Sequence, residues 1–167
     1  YYFKLYSENN AEAEITLEPE RIQAVRGGLE LVHPMTKRRA DLLQQKAGML
    51  IRNDRLDDAK SIFEELERNF PDEIAYKNNT AFTDLLLNDY IGGEKKARDA
   101  LSLKPDDPVA LCNLVTALYM AGKRAELKEY AEILAKCETE EPVEIFKIAT
   151  TFCEIKFDEE AFIWLEK

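Results

Sequence analysis

A 34-residue echo runs through the last four-fifths of this chain, and it constrains the fold more than any other feature. Equivalent places refill with related residues: Gln45, Asn79, Asn113 and Lys147; Ala47, Ala81, Val115 and Ala149; Pro71 and Pro105. A fixed period of this size marks a repeat array, in which each unit is one helix pair that cannot bury its apolar side alone. The fold class it predicts is all-α, a stack of antiparallel helix pairs. Such a stack offers a surface for holding another molecule rather than a pocket for chemistry.

From Thr36 onward the pattern reads helix, short turn, helix. Thr36 is suited to cap the first helix, Asn53-Asp54 breaks it, and Leu56 to Phe70 makes the second before Pro71 closes the unit. The units are expected at 36–71, 72–105, 106–139 and 140–167, the last one truncated. The third is the clearest. Asp107 caps, Pro108 takes the first helical position, Gly122 ends the helix, and its partner runs from Arg124 to about Cys137. The fourth begins at Pro142 and turns near Lys156-Phe157. It reads as carrying one extra residue there, because Phe157 is four before Ala161 while Leu56 is three before Ala59. The second repeat is the least regular. Asp84 stands where Leu50, Leu118 and Phe152 set an apolar place, and Gly93 matches Ala59 and Ala161. A register shift in its first helix is the expectation.

Residues 1–17 are patterned differently. Phe3 and Leu5 alternate with Lys4 and Tyr6, and Ala13, Ile15 and Leu17 alternate with Glu12, Glu14 and Thr16, around Ser7-Glu8-Asn9-Asn10. This predicts a β-hairpin, or a linker from a preceding domain. Over 18–35, Pro19 followed by Ile22, Val25, Leu29 and Val32 predicts a leading helix that covers the first repeat. Gly27-Gly28 inside it either lets a neighbour approach closely or bends it.

The segment Pro108-Val-Ala-Leu-Cys-Asn-Leu-Val-Thr-Ala-Leu-Tyr-Met-Ala-Gly122 resembles the first helix of the tetratricopeptide repeat (TPR) family. Leu111 stands in the usual Trp place, Leu114-Val115 for Leu-Gly, and Leu118 for Tyr. Ala100-Leu101-Ser102-Leu103-Lys104-Pro105 is similar to the Ala-Leu-x-Leu-x-Pro end of a repeat. The resemblance covers about residues 36–167 and implies a right-handed superhelix whose first helices line a concave groove. Carried over, it makes Gln45, Arg52, Asn78, Asn79, Phe82, Asn113, Thr116, Tyr119, Met120, Lys147 and Thr150 the candidate peptide-binding residues, with Cys112 and Phe146 beside them. Some family members grip a terminal carboxylate with two Asn and a cation, the places held here by Asn79, Asn113 and Lys147. Two further basic residues of that arrangement are replaced by Ala75 and Val143.

Composition narrows the function classes. The chain carries 33 acidic against 23 basic residues, a net charge of −10, which disfavours a phosphate backbone as partner. It has no apolar run long enough to span a membrane. Three cysteines, Cys112, Cys137 and Cys153, are too few and too widely spaced for a disulfide framework. They read as small core residues in a reducing, cytoplasmic setting. The single His33, beside Pro34, suits a helix C-terminus. No metal, nucleotide or nucleophile motif appears, so neither a cofactor nor an enzymatic role is expected. Acid pairs such as Glu64-Glu65 point about 100° apart on a helix and read as solvated faces.

The chain opens on Tyr1 and stops at Lys167 within a helical pattern, so it reads as a segment of a longer protein. The expected function is to bind a protein or peptide along the groove, as an adaptor or regulatory part. Two alternatives stay open. The array packs on its own chain or self-associates through exposed repeat ends, or it regulates an enzyme or DNA-binding module elsewhere.

Overall fold

In the computed structural model residues 35–167 are described throughout, and of residues 1–34 only the backbone of four short strands. Strand β1 (Tyr2–Tyr6) pairs antiparallel with β2 (Glu12–Thr16), and β3 (Ile22–Val25) with β4 (Gly28–Leu31). The turn expected at 7–10 and His33 lie outside the described residues. The expected leading helix over 18–35 is corrected, because 22–25 and 28–31 are strands. Glycine costs a helix interior about 1 kcal/mol relative to alanine, and Gly27-Gly28 places two in succession while Ile22 and Val25 are β-branched. Residues 1–39 and 40–167 are two compact units, each with its own internal contacts.

Eight helices follow: α1 (Lys37–Arg52), α2 (Leu56–Asn69), α3 (Ile74–Leu86), α4 (Tyr90–Leu103), α5 (Pro108–Met120), α6 (Arg124–Ala135), α7 (Pro142–Glu154) and α8 (Asp158–Leu165). Their starts follow from local chemistry. The Arg39 N–H donates to Thr36 Oγ1 at 3.2 Å, and the Ala110 N–H to Asp107 Oδ1 at 2.9 Å with Pro108 behind the cap.

The helix ends show the repeat in its strictest form. Asp54, Asn88, Gly122 and Lys156 adopt φ of 58°, 61°, 70° and 65°, spaced by 34 residues. After each, an N–H reaches back to close the preceding helix: Arg55 to the Leu50 carbonyl, Asp89 to Asp84, Lys123 to Leu118 and Phe157 to Phe152. This six-to-one closure with a left-handed residue is the Schellman arrangement. Each turn inside a pair is three residues long, at 53–55, 87–89, 121–123 and 155–157. The extra residue expected in the fourth turn is therefore absent; Phe157 matches Arg55, not Leu56.

The register shift expected in the second repeat is absent for the same reason. Asp84 keeps its periodic place, buried, and its Oδ1 lies 2.6 Å from Lys60 Nζ of α2. Burial holds its carboxyl above the ordinary range, against the pull of Lys60. Gly93 fits the same frame. A Cβ there would stand 2.9 Å from Leu85 Cδ2, so α4 approaches α3 closely enough that an alanine would have to displace the Leu85 side chain.

A continuous core joins the later repeats through Ala81, Leu111, Leu118, Leu134, Phe152 and Trp164, all buried. Ala47, Ala81 and Ala149 are buried as the small-residue series predicts, as are Phe63, Leu66 and Leu134. Leu165, expected to fill space between pairs, is 58% exposed. The second helices meet through charge instead. Glu67 of α2 lies 2.8 Å from Lys96 of α4, and Glu94 of α4 lies 2.8 Å from Lys123, just before α6. Arg98 of α4 adds a contact to Glu126 of α6, with its guanidinium over the Tyr130 ring.

Candidate functional site

Helix α5 packs against α3 on one side and α7 on the other, so these three first helices form a continuous wall. The wall is fixed by polar side chains that face its neighbours. Asn78 Nδ2 donates to Asp107 Oδ1 at 2.9 Å, and Asn113 Nδ2 donates to the Asn78 carbonyl at 3.0 Å. Both asparagines are buried. Asp107 thereby caps α5 and ties it to α3 at once. A buried amide without partners would be costly, so these bonds fix the relative height of the two helices.

On the open side of the wall lies a groove of about 700 Å³. Seven of the residues expected to line it do so: Phe82, Asn113, Thr116, Tyr119, Met120, Lys147 and Thr150. Phe82, Tyr119 and Phe146 are 38%, 37% and 65% exposed, so ring surface is presented to solvent along the whole length. Lys147 sits among these rings, its Nζ 4.8 Å from the Phe82 centroid. Burial lowers the Lys147 ammonium from its ordinary value, while Cys112 and Glu154 oppose that shift.

The remaining candidates fall elsewhere. Asn78 is structural, as described. Asn79 is half-buried and does not line the groove; its carbonyl accepts from Thr83 Oγ1 at 2.8 Å. Gln45 and Arg52 line a separate shallow depression on α1 with Gln44 and Met49. Cys112 is buried against α7, and burial pushes its thiol up to about 11. Asn79, Asn113 and Lys147 thus do not converge on one point, because the Asn113 amide is already committed to α3.

The sequence reading missed Leu86, Tyr90, Val143 and Glu154, which also line the groove. Leu86 follows Phe82 and Glu154 follows Thr150 by four residues, which puts each pair on one helix face. That spacing was a usable signal. The cysteines divide by position: Cys112 is buried, Cys137 intermediate and Cys153 exposed, so the core expectation fails for Cys153. Among the described residues, no group of three or more His, Cys, Asp or Glu could hold a metal ion. No described helix is long and apolar enough to cross a membrane.

Repeated helix pairs, a 34-residue closure and a groove walled by first helices define a TPR-like helical array. The family model for the coatomer epsilon subunit matches residues 41–161, and the chain belongs to that family. Comparison with curated proteins gives no match. Solved structures share the fold. The first TPR domain of Spaghetti (RPAP3), bound to the HSP90 peptide SRMEEVD, aligns with a TM-score of 0.62 at 17% identity over 74% of this chain and 95% of that one. The Sgt2 TPR domain from Aspergillus fumigatus gives 0.60 at 17% identity, over 72% of this chain and 81% of that one. The CopN–Scc3 complex gives 0.62 at 8% identity, over 72% and 71%.

Proposed function

We infer that this chain is a polypeptide-holding subunit that grips a segment of another protein along the face of α3, α5 and α7. One observation carries the reading: three successive first helices leave Phe82, Tyr119 and Phe146 exposed in a single groove while their other faces are buried. Exposed rings in a concave, pre-formed site are the usual anchors of a protein interface. The family name supports membership of a coat assembly, which makes another coatomer subunit the expected partner. The RPAP3 domain supports the mode, since that protein holds a peptide on the same fold.

The test is co-purification with the coat subunits of the source cell, comparing the parent with Phe82→Ala/Tyr119→Ala/Phe146→Ala. Loss of the co-purifying subunit from a variant that melts like the parent supports groove binding. Undiminished recovery moves the interface off this face. A second reading, self-association, is favoured by α8, where Phe162, Ile163 and Leu165 are all exposed. It predicts a mass that rises with concentration and falls back in Phe162→Ser/Leu165→Ser.

A further inference from the structure

Several described cations outside the groove face a carboxylate, as Lys60, Lys96, Arg98 and Lys123 do. A second cleft, of about 740 Å³ at the turn edge of the last two repeats, gathers cations without a carboxylate. Met120, Leu127 and Phe157 wall it, and Arg124, Lys128 and Lys156 rim it. No carboxylate lines it, in a chain of net charge −10. None of these three side chains has an ion-pair or hydrogen-bond partner among the described residues.

The placement is unfavourable for the folded chain by itself. Arg124 is the first residue of α6, a helix whose N-cap, Lys123, makes no side-chain cap bond. A cation at that end opposes the helix dipole. Lys128 follows Arg124 by four residues, which stacks two like charges on one face. Lys156 comes in from the α7–α8 turn, in the left-handed region at φ 65°. Positive potential from three side chains and a helix terminus therefore converges over an apolar floor, with no carboxylate among the described lining residues to neutralise it.

We propose that this cleft holds an acidic segment of a partner polypeptide, with carboxylates on Arg124, Lys128 and Lys156 and an apolar side chain against Met120 and Phe157. Charge-assisted bonds in a partly desolvated cleft give such a segment orientation as well as attraction. The cleft shares Tyr119, Met120, Ile155 and Lys156 with the groove, so a chain leaving the groove enters it directly. The proposal rests on the polypeptide-holding reading, but Arg124, Lys128 and Phe157 lie outside the groove.

The experiment is fluorescence anisotropy on the full chain. Its probe is a fluorescein-labelled peptide of glutamates and aspartates flanking two phenylalanines. Controls are the same peptide with lysines for the acids, and vesicles of anionic lipid. The expected result is saturable binding that weakens at least tenfold in Arg124→Glu/Lys128→Glu, weakens less in Arg124→Gln/Lys128→Gln, and declines with salt. Phe146→Ala should change it less than twofold. The milder pair of substitutions, both at exposed sites, keeps the test valid if charge reversal perturbs folding. Equal binding of the lysine peptide, or unchanged binding by both variants, overturns the proposal. Binding to vesicles without binding to the peptide overturns it in favour of a membrane surface. If the peptide fails to bind while the alanine groove variant still loses its coat subunit, the cleft is wrong and the groove stands.

Discussion

The second and third repeats share one backbone frame and fill it in opposite ways. In α5, Leu111, Leu114, Val115 and Leu118 are all buried, and the helix is apolar almost all round. In α3 the buried set is Tyr76, Asn78, Thr80, Ala81, Thr83 and Asp84, mostly polar or small. Both helices are closed by the same Schellman bond, at 84 and 118 respectively. The repeat therefore specifies its geometry through turns and helix spacing. What fills each place needs only a neighbour that complements it. Lys60 does so for Asp84, and Gly93 admits Leu85.

The comparison breaks first at Leu118. Leu118→Ala removes a fully buried side chain from the apolar repeat and should destabilise by about 2–5 kcal/mol, read from urea unfolding. Lys60→Met leaves Asp84 buried without its cation. Its expected cost is about 1–3 kcal/mol, less than for a fully buried pair because Lys60 keeps some contact with water. Asp84→Leu, which restores the periodic pattern, should cost less than Lys60→Met or even stabilise.

The pH dependence sharpens this pair. Because the Asp84 carboxyl is raised in the folded state, that state binds the proton more tightly than the unfolded one does. The contribution of this site to stability is therefore lost as pH rises from the ordinary carboxylate range through the raised value. The decline should extend to higher pH in Lys60→Met and vanish in Asp84→Leu. An effect of comparable size comes from the close approach. Gly93→Ala should destabilise by about 1–3 kcal/mol unless Leu85 moves, although alanine occupies the same place at 59 and 161. Smallest are the left-handed positions. Gly122→Ala should cost about 1 kcal/mol, and Lys156→Gly should gain a comparable or lesser amount, both read as shifts in urea midpoint.

The contrast also explains what was legible in the sequence. Helix positions were readable because caps, turns and prolines act locally: Thr36, Asp107, Pro108 and Gly122 each do in the structure what their chemistry suggests. The turn length of the fourth repeat was misread because Phe157 was aligned by its ring, with Leu56, rather than by its backbone place. The strands at 22–25 and 28–31 are hard to read from sequence because an apolar period over so short a stretch does not separate helix from strand, and the double glycine is the local signal against a helix. In the groove, Phe82, Tyr119 and Lys147 came from the family resemblance, which assigns one face of each first helix to the groove. That Asn113 would be buried against the Asn78 carbonyl did not, since it depends on how far α3 and α5 slide past each other, which no local pattern encodes.

Site-specific photocrosslinking within the assembled native complex tests the central claim most directly. A photoreactive phenylalanine replaces Phe146, exposed in the groove, or Ile133, exposed on α6, the second helix of the third repeat. The account predicts crosslinks to one defined segment of another polypeptide from position 146 and none from 133. Crosslinks from 133 with none from 146 would place the partner on the second helices and contradict it.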